Sequence, residues 1–138
     1  MTTFELPIRV YWEDTDAGGI VFYANYLKFF ERARTEWLRA RGVSQQALRA
    51  QAGGMFVVAE AALRYVGSAR LDDALLVTAE LASAGRASLI LNQQAFLAGA
   101  ANNRGRLLCS GRIRIGWVDA VTLRPSRIPV EILKKIKS

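Results

Sequence analysis

Between Asn25 and Ala40 the sequence commits to one long helix with a bulky side. Tyr26, Phe29, Phe30, Ala33, Trp37 and Ala40 recur at steps of three and four, which puts them on one face of a 3.6-residue period. Asn25 is placed to cap the start and Gly42 to follow the end. Glu31, Arg34, Glu36 and Arg39 occupy much of the remaining, polar surface. A helix face carrying this many large aromatics calls for a sheet to wrap it.

The flanking sequence supplies that sheet. A β-branched and aromatic run predicts a first strand over 5–12. Four more strands are predicted over Met55–Val66, Ala74–Ala82, Ala87–Leu97 and Leu107–Asp119, with hairpin turns at 83–86 and 99–106. In the last strand Cys109, Gly111, Ile113, Ile115 and Trp117 share one face, and Ser110, Arg112 and Arg114 the other. Short helices are expected over 43–53, with Ser44 as cap, and over 129–137. The order is strand, long helix, four strands. It predicts a single α+β domain over residues 1–138, an antiparallel sheet packed on one helix, with no doubly wound nucleotide fold. A sheet covered on one face only leaves its edges open, so self-association is expected.

Composition narrows the chemistry. The 138 residues contain no histidine, which rules out Ser-His-Asp and Cys-His catalysis. A zinc site would need several cysteines, and there is one, Cys109. Acid–base work therefore falls to carboxylates, tyrosine, lysine, backbone amides or water. Neither a metal nor a cofactor is expected. The lone cysteine and the absence of a basic-then-apolar leader in MTTFELPIRVYWED point to the cytoplasm. No apolar run reaches the length of a membrane span. A net charge of +7 favours an anionic partner. Nucleic acid is not expected, because basic and aromatic residues do not interleave along the strands as in RNA-binding sheets.

The acids concentrate in EDTDAGGIVFYANY, Glu13 to Tyr26. Asp14-x-Asp16-x-Gly18 looks like the opening of a calcium loop, but the twelfth position, which should be glutamate, is Asn25. Gly18-Gly19 lacks phosphate-loop spacing, and the carboxylates would repel phosphate. Two readings stay open on the residues alone. Either Asp14 and Asp16 cap turns, or an acid beside a helix start works with the free amides there on a carbonyl.

The run VYWEDTDAGGIVFYANYLKFFERARTEWLR (10–39) closely resembles the signature of the 4-hydroxybenzoyl-CoA thioesterase family of hotdog-fold proteins. Within it, the chain is similar to the acyl-CoA thioesterases associated with the Tol-Pal system. The likeness continues through FVVAEAALRYVGSARLDD (56–73) and loosely to about residue 120. It implies a five-stranded antiparallel sheet wrapped around a long central helix. It further implies a homodimer or homotetramer with active sites at the dimer interface, and hydrolysis of acyl-CoA.

By position, the resemblance assigns catalysis to Asp16 and a structural role to Asp14. Many members of the Tol-Pal branch carry histidine where this chain has Tyr23, which shifts the carbonyl-polarising role there to the backbone amide. Asn25 holds a frequent polar position at the helix start, which makes it a candidate substrate contact or a simple N-cap. Arg86, and Ser68 and Arg70 in GSAR, are the candidates for binding CoA. Cys109, without a base to activate it, reads as buried filler. Hotdog dehydratases rely on histidine and are set aside. The competing reading is a binding module without chemistry, taking acyl-CoA or an acyl carrier protein.

Overall fold

The aromatic helix α1 forms over Asn25–Ala40 and buries Tyr26, Phe29, Phe30, Ala33, Trp37 and Leu38. Leu38 takes the place expected of Ala40, which is exposed. The computed structural model describes residues 3–138. Five strands cover the helix: β1 (Phe4–Arg9), β2 (Gly54–Tyr65), β3 (Ala74–Ala84), β4 (Ser88–Ala98) and β5 (Arg104–Asp119). They lie in the order β1-β3-β4-β5-β2, every neighbouring pair antiparallel. This is the architecture the resemblance implies, with β1 and β2 as the two edges. Pro7 sits in β1, where a missing ladder donor is tolerated.

Alternation in β5 matches its expected faces. Cys109, Ile113, Ile115 and Trp117 are buried in the core, while Arg112 and Arg114 are exposed. Gly111 lies on the inner face because the helix comes too close for a side chain. A Cβ there would sit 2.9 Å from Cε2 of Phe30. In β4 the neighbouring residue Gln93, paired with Gly111 across the ladder, fixes the same helical turn. Its Nε2 donates to the Phe30 carbonyl (3.0 Å) and the Thr78 carbonyl (3.1 Å).

Arg34 departs from the expected solvent position. It is only 7% exposed, and Nη1 donates to Gln93 Oε1 at 3.0 Å. Burial lowers its pKa, and the charge of Glu31 opposes that shift. The guanidinium is held because a charged donor on a buried amide oxygen is worth more than a neutral pair.

Other limits move for local reasons. β1 stops at Arg9, because Trp12–Asp14 turns as a 3₁₀ segment. Ser44 occupies the N-cap of α2 (Gln45–Ala47) without a side-chain bond, and a π-helical turn continues over Leu48–Ala52. α3 (Val130–Lys137) buries Ile132 and Ile136 as its amphipathic pattern requires. No helix among the described residues is long and apolar enough to cross a membrane.

Gly111→Ala should destabilise the fold by about 1–3 kcal/mol, since the added methyl overpacks against Phe30. Urea unfolding measures this. Adding Phe30→Leu should give a double variant whose loss is smaller than the two single losses summed.

Candidate active site

The acidic segment folds as a small hairpin leaving β1. Thr15 bridges Val21, and the Asp16 N–H donates to the Ile20 carbonyl at 2.9 Å. Gly19 closes the turn at φ +79°, its N–H donating to the Asp16 carbonyl at 3.0 Å. One oxygen of Asp16, Oδ1, accepts the Gly18 N–H at 2.8 Å. Its other oxygen makes no hydrogen bond among the described residues, and the residue is exposed. Asp16 thus has one oxygen anchored and one open.

Asp14 is placed oppositely. It is 1% exposed, and Oδ2 accepts the Tyr11 N–H at 2.9 Å. Oδ1 is buried with no partner among the described residues. The Asp14 carbonyl accepts both the Phe22 N–H (3.0 Å) and Asn25 Nδ2 (2.8 Å). No group of three His, Cys, Asp or Glu side chains among the described residues is gathered closely enough to hold a metal ion.

Asn25 is corrected by the same bonds. The N-cap is Ala24, and Asn25 is the first helical residue. Its amide latches the helix start to the acidic loop rather than capping the helix. In the turn before α1, Asn25 N–H reaches the Phe22 carbonyl (2.8 Å) and Leu27 N–H the Ala24 carbonyl (3.1 Å). The amides of Tyr23 and Ala24 donate to no acceptor among the described residues. They carry the positive end of the helix dipole.

A strap following β2 closes the other side of the loop. Val66 and Gly67 N–H groups share the Leu108 carbonyl, Val21 N–H donates to the Ala69 carbonyl (2.9 Å), and Ile20 bridges Arg70. Tyr26 is buried in α1, and its hydroxyl accepts the Ala69 N–H at 3.2 Å. Burial raises the pKa of this phenol despite that bond. Ser68 and Arg70 are exposed on this strap beside the acidic hairpin.

Arg86 is elsewhere. It lies in the β3–β4 turn, its carbonyl accepting the Ile128 N–H at 2.8 Å. The length of β4, about 35 Å at ~3.3 Å per residue, separates that turn from the Asp16 end of the sheet. One chain therefore does not bring Arg86 to Asp16. Besides Arg70, the strap meets a second cation, Arg106, whose Cζ lies 3.6 Å from where a Gly67 Cβ would be. The sequence reading treats residue 106 as hairpin turn. Tyr65, at the end of β2, is also missed there. Its ring lies 5.9 Å from that of Tyr23 and 5.8 Å from that of Tyr26.

Cys109 is fully buried, and desolvation pushes its thiol to about 12. It should resist iodoacetamide at pH 8 in the native protein and react on unfolding, since the thiolate is the reactive form. Mass spectrometry of native and urea-treated samples checks this.

Residues 10–136 match the family model described as the thioesterase-like superfamily. The chain is 40% identical to the acyl-CoA thioester hydrolase YbgC of Escherichia coli over 99% of its own length and 97% of the relative. It is 38% identical to the acyl-CoA thioesterase YbgC of Haemophilus influenzae, covering 94% and 90%. The fold is also that of a DHNA-CoA thioesterase from Staphylococcus aureus, with a TM-score of 0.87 at 21% identity, covering 99% and 92%. An α1 helix wrapped by a β1-β3-β4-β5-β2 sheet, together with these matches, makes the chain a member of the thioesterase-like superfamily.

Proposed function

We infer that the chain hydrolyses acyl-CoA thioesters to free acid and CoA, with Asp16 carrying the reaction. The observation that supports this most is local. A carboxylate with one oxygen tied and one open shares a loop system with two undonating amides at the start of α1. The relatives named as acyl-CoA thioester hydrolases support the substrate class.

The steps follow from that arrangement. The thioester oxygen takes the amides of Tyr23 and Ala24, which oppose the negative charge that grows on it. Asp16 draws a proton from water as the water oxygen adds to the carbonyl carbon. The C–S bond then breaks, the electron pair leaves on sulfur, and the proton passes to the CoA thiolate. In the alternative, Asp16 itself adds to the carbon, expels the thiolate and leaves a mixed anhydride that water opens. Single-turnover hydrolysis in heavy-oxygen water separates the routes, since only the anhydride leaves label in the Asp16 carboxylate.

A homodimer belongs to this reading. With a two-fold axis perpendicular to the strands, the partner's strands run in reverse, which brings the Arg86 end of one sheet toward the Asp16 end of the other. Arg86 from the second copy, with Ser68, Arg70 and Arg106 of the first, then forms a cationic rim for the CoA phosphates. Acyl carrier protein thioesters, which present the same pantetheine arm, belong in the substrate panel.

Asp16→Asn should lower kcat at least ~100-fold, the loss expected when a positioned base is removed. Near-normal release of CoA thiol by that variant sinks the assignment. A wild-type protein that binds acyl-CoA without releasing thiol would instead leave the binding module. Arg86→Ala should raise KM for acyl-CoA more than it lowers kcat. An unchanged KM rejects Arg86 as a phosphate contact.

A further inference from the structure

Tyr65 ends β2 with its ring in the open, 45% exposed, yet it is held from two sides. It stands edge-on to Tyr23, with ring centroids 5.9 Å apart and planes at 84°. It also packs on Tyr26 at 5.8 Å and 62°. Tyr26 is fixed in turn. It is 2% exposed, it packs on the buried Phe29 at 5.8 Å, and its hydroxyl accepts the Ala69 N–H. Tyr23, by contrast, is 62% exposed, and besides Tyr65 its ring meets only that of Phe22, itself exposed, among the aromatic pairs of the described residues. Tyr65 is thus the one ring that connects the anchored aromatics to the exposed pair.

Its place in the chain gives it a second hold. The residues that follow, Val66 to Arg70, form the strap whose Ala69 carbonyl takes the Val21 N–H and whose Arg70 bridges Ile20. The acidic hairpin rests on that strap. One residue therefore stands at the root of the segment that supports Asp16 and also against Tyr23, whose backbone amide lies in the turn before α1. Burial raises the Tyr65 phenol above its ordinary value, with Cys109, Tyr23 and Tyr26 adding to the shift. The phenol stays neutral at neutral pH, so what it brings here is its ring.

We propose that Tyr65 is a positioning residue for thioester hydrolysis, whose ring clamps Tyr23 so that the free Tyr23 and Ala24 amides hold their place relative to Asp16. This rests on the reading of Asp16 and those amides given above. Edge-to-face contacts carry the clamp, because they fix orientation as well as distance. Their effect on rate follows from geometry, since a small displacement of an oxyanion donor is costly to the transition state.

Tyr65→Ala and Tyr65→Phe are compared with wild type in two measurements. Nitrogen-15 order parameters at Tyr23 and Ala24, taken without substrate, should fall from about 0.85 toward about 0.6 in Y65A and stay unchanged in Y65F. Unchanged values in Y65A overturn the proposal, whether or not any thioester is hydrolysed. In steady-state assays Y65A should lose roughly tenfold in kcat with KM within about twofold, and Y65F should restore kcat. A rise in KM at constant kcat would make Tyr65 a substrate contact and overturns the proposal. An equal loss in Y65F would assign the effect to the hydroxyl and overturns it too. Should Y65A fail to fold, Tyr65→Leu keeps bulk without a ring and carries the same expected outcomes. Asp16→Asn is assayed alongside. Full turnover there removes the Asp16 reading and leaves the order-parameter result standing.

Discussion

The main-chain carbonyl of Asp14 holds two donors at once, the Phe22 N–H and the Asn25 side-chain amide. Its carboxylate takes a third, the Tyr11 N–H. These bonds tie the exit of β1, the acidic hairpin and the first turn of α1 to one buried residue. Buried carbonyls and carboxylates need partners, and here each partner belongs to a different piece of the loop system. This junction ties the hairpin bearing Asp16 directly to the amides before α1, while the strap holds its other side. With it, an acid and a pair of donors keep a defined relation despite their exposure. The cost stays in view as the unpartnered Oδ1 of Asp14.

The junction depends in turn on how α1 meets the sheet. Phe30 packs into the space left by Gly111, and the aromatic face around it is fully covered. The helix is therefore a fixed beam, and its N-terminus is delivered to the end of the sheet where β1 and β2 run out. The strap after β2 closes that end from the other side. Site and fold are joined by short-range bonds at the termini of elements, which is where catalytic groups gain freedom of placement without loosening the core.

Much of the fold was legible in the sequence because it rests on periodicity. The 3.6-residue pattern from Tyr26 to Trp37 and the alternation in β5 are local signals, and both elements formed where those signals lie. What was not legible was tertiary. Arg34 reads as a surface charge beside Glu31, and only the arrival of Gln93, distant in sequence, gives it a buried acceptor. Asn25 has the composition of a cap, but the carbonyl of Asp14 competes for its amide. Asp14 and Asp16 are indistinguishable by type; position in the family signature tells them apart in sequence, and burial and hydrogen bonding do so in the structure. The distance of Arg86 from Asp16 is different in kind. In an antiparallel meander the β3–β4 turn must lie opposite the exit of β1, so strand order alone already contained that answer.

The buried trio of Arg34, Gln93 and the Phe30 carbonyl has a consequence for how this core can vary. Aromatic and aliphatic contacts are tolerant of sliding, since a slightly shifted helix finds new surface of similar quality. Hydrogen bonds are not, because they fail within a fraction of an ångström. Repacking α1 with other apolar side chains could therefore change the volume of the core while the helix keeps its axial position. That position is an index mark set by one glutamine, and every group carried at the tip of the helix is measured from it.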